Sequence, residues 1–204
     1  MNRSGAHALG IMLSFALVAG CAGSIRKDQV VPPGTLVELA EDEGLLVIQI
    51  DTDVPLEDVR LTAGSVAQGL PKGQYIWVIR VPARRYAWQQ IDMGSEAGID
   101  GRYKMSDVEL LHEGEFEFEV VPKSINYPGE LIIRSDPFDR SSGRRSIRNR
   151  NHSAMAIRRL RKTHASLIDA FPIRYAGWSG DGFLDFFTRE RQSIPSSNES
   201  KEKP

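Results

Sequence analysis

Only one cysteine and four histidines stand among the 204 residues, and these two scarcities exclude more than any abundance does. A lone Cys21 cannot close an internal disulfide, so even in an oxidising compartment the fold must hold by packing. The histidines, His7, His112, His152 and His164, are dispersed, and neither H-E-x-x-H nor a Cys/His cluster exists to ligate zinc. Charge of one sign is also lacking. The 26 Lys and Arg against 27 Asp and Glu leave a formal charge of −1, which excludes a global attraction to nucleic acid. No apolar run approaches the roughly 20 residues that cross a bilayer. Helical periodicity is almost absent before residue 150, and no βαβ spacing is present, so a parallel α/β sheet is not expected.

What is present begins at the N-terminus. One early cation, Arg3, precedes an apolar segment from Ala8 to Ala19 and then small residues, the three-part build of a secretory signal peptide over residues 1–20. Cys21 follows at once. Without Arg3 the remaining 184 residues carry 25 Lys and Arg against 27 Asp and Glu, a charge of −2, and are enough for one ordinary domain with tails.

Leu17 followed by Val18-Ala19-Gly20-Cys21 resembles the lipobox of bacterial lipoproteins, with Val18 at a position where leucine is commonest and valine is accepted. The resemblance implies that the Cys21 sulfur is alkylated by diacylglycerol and that cleavage frees an amine for a further acyl chain. Several chains make attachment stable where one is marginal. Ala22 after the cysteine, rather than Asp, implies an outer-membrane address facing the periplasm.

Residues 21–33, polar with a Pro-Pro pair, read as lipidated cysteine and stalk. The body, residues 34–138, is rich in strand signals: Leu36 to Leu39, Leu45 to Ile50, Val59 to Thr62, and Gln74 to Pro82 with Tyr75, Trp77, Ile79 and Val81 on one face. Ile76 and Val78 make the other face of that strand apolar as well, as expected of a central strand covered on both sides. Arg85 to Ile91 reads as its hairpin partner. Glu113 to Val120 alternates Phe116, Phe118 and Val120 with Glu115, Glu117 and Glu119, predicting one wet face. Ile125 to Tyr127 and Glu130 to Arg134 read as a pair, or as one strand broken at Pro128-Gly129. The expected fold is mainly β, an antiparallel β-sandwich or small barrel. Over residues 40–135 the pattern resembles small envelope lipoproteins with prealbumin-like or immunoglobulin-like β-sandwich domains, which implies an envelope role without an activity.

Residues 139–190 change character. Nine Arg or Lys fall between Asp139 and Lys162. Ser153 is a suitable N-cap, and Ala156, Ile157, Leu160, His164, Leu167, Ile168 and Phe171 recur at helical spacing, predicting a C-terminal helix packed on the sheet and stopped by Pro172. The aromatic tract from Tyr175 to Phe187 reads as a final strand with loops or a flap, and residues 191–204 as a disordered tail.

The basic tract reads either as a solvated face or as a site for an anionic lipid, lipopolysaccharide or other cell-wall component, carried by Arg144, Arg145, Arg148, Arg158, Arg159 and Arg161. Asp51 and Asp53 lack the spacing of a calcium loop and read as a strand-ending turn, so no metal site is expected. Ser179, the best nucleophile candidate, misses G-x-S-x-G because Asp181 stands where the last glycine belongs. The sequence therefore points to a lipid-anchored, non-enzymatic structural or protein-interaction module, without cofactor, whose partners are the membrane through Cys21 and an envelope protein or anionic glycolipid.

Overall fold

The computed structural model describes residues 29–94, 101–107, 113–135 and 145–193. The signal segment, Cys21 and Arg144 lie outside them, as do His112 and the end of the chain from 194.

Among these residues the chain is mainly β, built as two sheets. In the first, β1 (Val30–Val31), β5 (Gly73–Pro82), β2 (Glu43–Thr52), β10 (Glu130–Ser135) and β11 (Arg145–Arg150) lie in that order, β9 (Ile125–Tyr127) also pairs with β2, and β12 (Ile173–Tyr175) pairs with β9. The second has the order β4 (Gly64–Leu70), β3 (Leu56–Leu61), β6 (Arg85–Met93), β7 (Gly101–Lys104), with β8 (Glu117–Glu119) also on β6. Three helices follow late in the chain: α1 (Ser153–Thr163), α2 (Ala165–Ala170) and α3 (Gly182–Ser193).

β2 shows why the layers stack as they do. Gly44 through Ile50 is buried without interruption, and alternation splits the strand between two cores. Leu46, Ile48 and Ile50 join Ile79, Val81, Leu131 and Ile133 against Val59, Leu61, Trp88 and Ile91 of the second sheet. Leu45 and Val47 join Val78, Ile125 and Tyr127 against Ala156, Ile157, Leu160, Leu167 and Leu184 of the helices. The first sheet is thus the middle layer, with the second sheet on one face and the helices on the other. The apolar second face of β5, through Ile76 and Val78, is covered by that helical layer.

Several expectations are corrected. The second sheet is antiparallel, but the first is mixed, since β2 pairs in parallel with β9 and β10, and β9 with β12. Parallel pairing requires a long crossover. Between β2 and β9 the chain builds the second sheet, and between β9 and β12 it passes through β10, β11, α1 and α2. β6 is not the hairpin partner of β5. After Pro82 the chain crosses between sheets, and β6 pairs with β3, β7 and β8 instead. Leu36 to Leu39 forms no strand, although Leu39 is buried against the helical core. β4 and β11 escape periodicity, β4 because it is punctuated by Gly64 and Gly69, and β11 because it is crowded with arginine. The helical pattern after Ser153 is interrupted at His164, whose φ of −135° separates α1 from α2, and the residue at the N-cap is His152.

Candidate functional site

Ile125 to Ser135 is one broken strand rather than a hairpin. Both halves run parallel to β2, but Leu45 pairs with Ile125 and Gln49 with Glu130, so one extra residue is accommodated at the break. Pro128 has no N–H to give, and Gly129 takes φ 113°, a conformation that side chains resist. Beyond the break the neighbours diverge: β12 follows the first half and β11 the second.

This fork gathers buried polar groups. Asn149 donates from Nδ2 to the Pro128 carbonyl at 2.9 Å and to the Glu115 carbonyl at 3.0 Å, while its backbone N–H donates to Glu115 Oε1 at 3.0 Å. Glu115 is therefore an inward-facing acceptor, 1% exposed, and not a member of the wet face predicted by alternation. Glu117 and Glu119 do face solvent. Glu130, 2% exposed, accepts from Gln49 Nε2 at 2.8 Å and meets the His152 ring nitrogen Nδ1 with its other oxygen. His152 stands at the N-terminus of α1, where a carboxylate is favoured by the helix dipole. Its backbone N–H also donates to the Tyr127 hydroxyl at 3.3 Å.

Burial pushes the phenols of Tyr127 and Tyr175 up from the ordinary value, more than the His152 N–H and the Ser179 hydroxyl lower them. For Asp181 burial also acts upward, but the side chains of Ser153 and Asn151 and the backbone N–H groups of Leu184 and Phe183 outweigh it and hold the carboxyl below its ordinary value. Asp181 caps α3, its Oδ1 accepting from Phe183 N at 3.0 Å and Leu184 N at 3.1 Å. The fork thus ties the broken strand to α1 and α3. Its chemistry is that of a buried clamp, with one half-exposed imidazole oriented by a buried carboxylate.

Of the six arginines proposed from sequence, the five within the described residues are divided between two elements. Arg145 and Arg148 belong to β11, and Arg148 donates from Nη1 to the Ile147 carbonyl at 3.0 Å. Arg158, Arg159 and Arg161 belong to α1, a helix with Lys162 as a fourth cation and no carboxylate of its own. Arg158 and Arg161 are exposed. Arg159 is partly covered and donates to Gln74 Oε1. The Arg161 guanidinium stands 5.0 Å from the centroid of the Phe187 ring.

The aromatic tract divides into two elements. Tyr175 ends β12, and Phe183, Phe186 and Phe187 belong to α3. Phe183 and Phe187 stack with centroids 6.2 Å apart, and Phe183 and Phe186 are 45% and 56% exposed. The glycines of the tract suggest loops on sequence alone. Asp181 as a cap, with Leu184 and Phe187 at i and i+3, is the signal for a helix. Trp178 borders an open cleft of about 410 Å³ together with Arg85, Glu117, Glu119 and Arg174.

The acidic turn after β2 has structural partners. Asp51 pairs with Arg134 at 2.6 Å, and Asp53 accepts from the backbone N–H and hydroxyl of Ser135. Among the described residues, no group of three or more His, Cys, Asp or Glu is arranged to hold a metal.

The edge of the second sheet is the remaining feature. β4 pairs with β3 on one side, and no described strand continues the sheet beyond it. Its sequence, GSVAQGL, contains neither charge nor proline, two of the devices that blunt an exposed edge, while its register with β3 shifts between Val59 and Arg60. No protein-family model, no curated protein and no solved structure matches this chain.

Proposed function

We propose that this chain is a lipid-anchored, non-enzymatic protein of the bacterial envelope, held to the outer membrane through Cys21, whose body binds a protein partner by strand addition. The lipobox-like residues support the anchor. The observation that carries the interaction reading is the uncharged, proline-free β4 edge, whose outward backbone groups can pair with an extended segment of another protein. A prealbumin-like or immunoglobulin-like topology is the finer form of the same proposal.

The test is a photo-cross-linking side chain placed at the exposed Gln68 in living envelopes. The expected result is a discrete protein adduct that disappears when Gly69→Asp puts a charge at the exposed end of β4, where an added Cβ meets nothing within 4 Å and aspartate tolerates the φ of 62°. An adduct that survives the substitution, or none at all, contradicts strand addition at β4. A second reading, an anionic envelope component bound by the basic segment, is favoured by the four cations of α1 without an accompanying carboxylate.

A further inference from the structure

We propose that the outer surface of the helical layer, Arg158, Arg161 and Lys162 of α1 with Phe183 and Phe186 of α3, docks on an anionic lipid bilayer. The proposal rests on the reading of Cys21 as the anchor.

The route of the N-terminal chain carries it. The described chain starts at Gln29, runs through β1 on the edge of the middle sheet, and is then fastened to the end of α1. The Val31 carbonyl meets His164 Nε2 at 3.1 Å, and Gly34 donates from its N–H to the Thr163 carbonyl at 2.8 Å. Eight residue steps lead from Cys21 to Gln29, and fully extended they reach at most about 28 Å. A lipidated Cys21 therefore keeps the start of β1, and with it the end of α1, close to the bilayer.

The chemistry of that region suits the bilayer. Arg161 and Lys162 fill the last turn of α1, and Arg158 lies one turn earlier on the same exposed side. Cations act on an anionic surface within a Debye length, about 8 Å at physiological ionic strength, a separation that the short tether permits. The apolar part adjoins the cationic part, because Arg161 packs over Phe187, Phe187 stacks on Phe183, and Phe186 is one turn from Phe183. Exposed rings beside cations match the headgroup–acyl boundary, where amphipathic helices bury their apolar side. α3 carries Asp185 and Glu190 with Arg189, and α2 carries Asp169, so the cationic excess of the layer belongs to α1.

The test uses the full lipidated protein in vesicles of phosphatidylcholine, with or without phosphatidylglycerol. Because Cys21 is the sole native cysteine and its sulfur is taken by lipid, Met155→Cys on the exposed side of α1 accepts a unique fluorophore, and Gln68→Cys on β4 serves as the distant control. In anionic vesicles a headgroup-level quencher is expected to dim the Met155 label several-fold more than the Gln68 label. Arg158→Glu, Arg161→Glu and Lys162→Glu together should cut the docked population about tenfold or more, and Phe183→Ser with Phe186→Ser should weaken it separately, in variants whose thermal melts show them folded at the assay temperature. Equal quenching at both sites overturns the proposal. So does quenching that follows protein density rather than lipid charge, which would assign the face to a second copy. Palmitate labelling and flotation with neutral vesicles report the anchor independently. If both fail, the anchor reading falls, and the Met155 label on added anionic vesicles still decides the surface: no quenching there overturns it.

Discussion

At the scale of residues, the fork shows how a backbone irregularity recruits side chains. The extra residue falls at Pro128-Gly129, where the Pro128 carbonyl accepts from Asn149 Nδ2 of the neighbouring strand, and Glu115 in turn accepts from the Asn149 backbone N–H and side chain. Gly129 has φ 113°, and a Cβ there would collide with the Asn149 side chain and approach the Arg150 carbonyl to 3.0 Å. Gly129→Ala should therefore destabilise by roughly 2 kcal/mol or more, combining backbone strain with lost packing, as measured by denaturant unfolding. Glu130 is buried while His152 is half exposed, so water partly replaces a missing imidazole. His152→Ala should cost about 1–2 kcal/mol, below the range for breaking a fully buried pair.

The buried phenols set a pH limit at the same scale. Tyr86, Tyr127 and Tyr175 are all raised from 10.0, chiefly by burial. Their neutral forms are favoured in the folded state, so their contribution is fully present below about pH 10 and is lost as the pH rises toward the folded values. Stability should fall steeply in alkali, and Tyr127→Phe should flatten that fall, as followed by chemical denaturation at several pH values. An alkaline limb unchanged by the substitution would show that Tyr127 does not drive it.

At the scale of elements, legibility in the sequence follows burial pattern. β2, β5 and the alternating Phe116-Phe118 stretch are readable because one or both faces are apolar, and α1 because its buried residues recur at helical spacing. Glycines hide β4 and arginines hide β11. The partner of β6 is misread because adjacency in sequence says nothing about which sheet a strand joins after a corner such as Pro82. Glu115 keeps to the alternating pattern but faces inward, an outcome fixed by Asn149, 34 residues away. The cations of α1 are legible as charge; the exposed Phe183 and Phe186 beside them are not, because their place depends on α3. Charge reversal at Arg158, Arg161 and Lys162 puts carboxylates near the C-terminal end of α1 and removes the cation over Phe187, so it should lower stability by about 1–2 kcal/mol, which a thermal melt would check.

At the scale of the whole molecule, the layer order gives the proposals a direction. The helices cover one face of the middle sheet and the second sheet covers the other, so a body resting on its helices presents β4 away from the membrane, where a protein partner has access. Anchor, cationic helix surface and sheet edge then form one arrangement, with the short segment between Cys21 and Gln29 limiting its distance from the lipid. The orientation of this arrangement at the membrane depends on the sulfur of Cys21. The direct measurement is the intact mass and membrane partition of the protein from bacterial envelopes, wild type beside Cys21→Ser. The account predicts a wild-type chain that begins at Cys21, carries the added mass of acyl chains and sediments with membranes, and a variant that has no such mass and is released. A wild-type Cys21 without lipid, or a Cys21→Ser protein retained as firmly as the wild type, would contradict it.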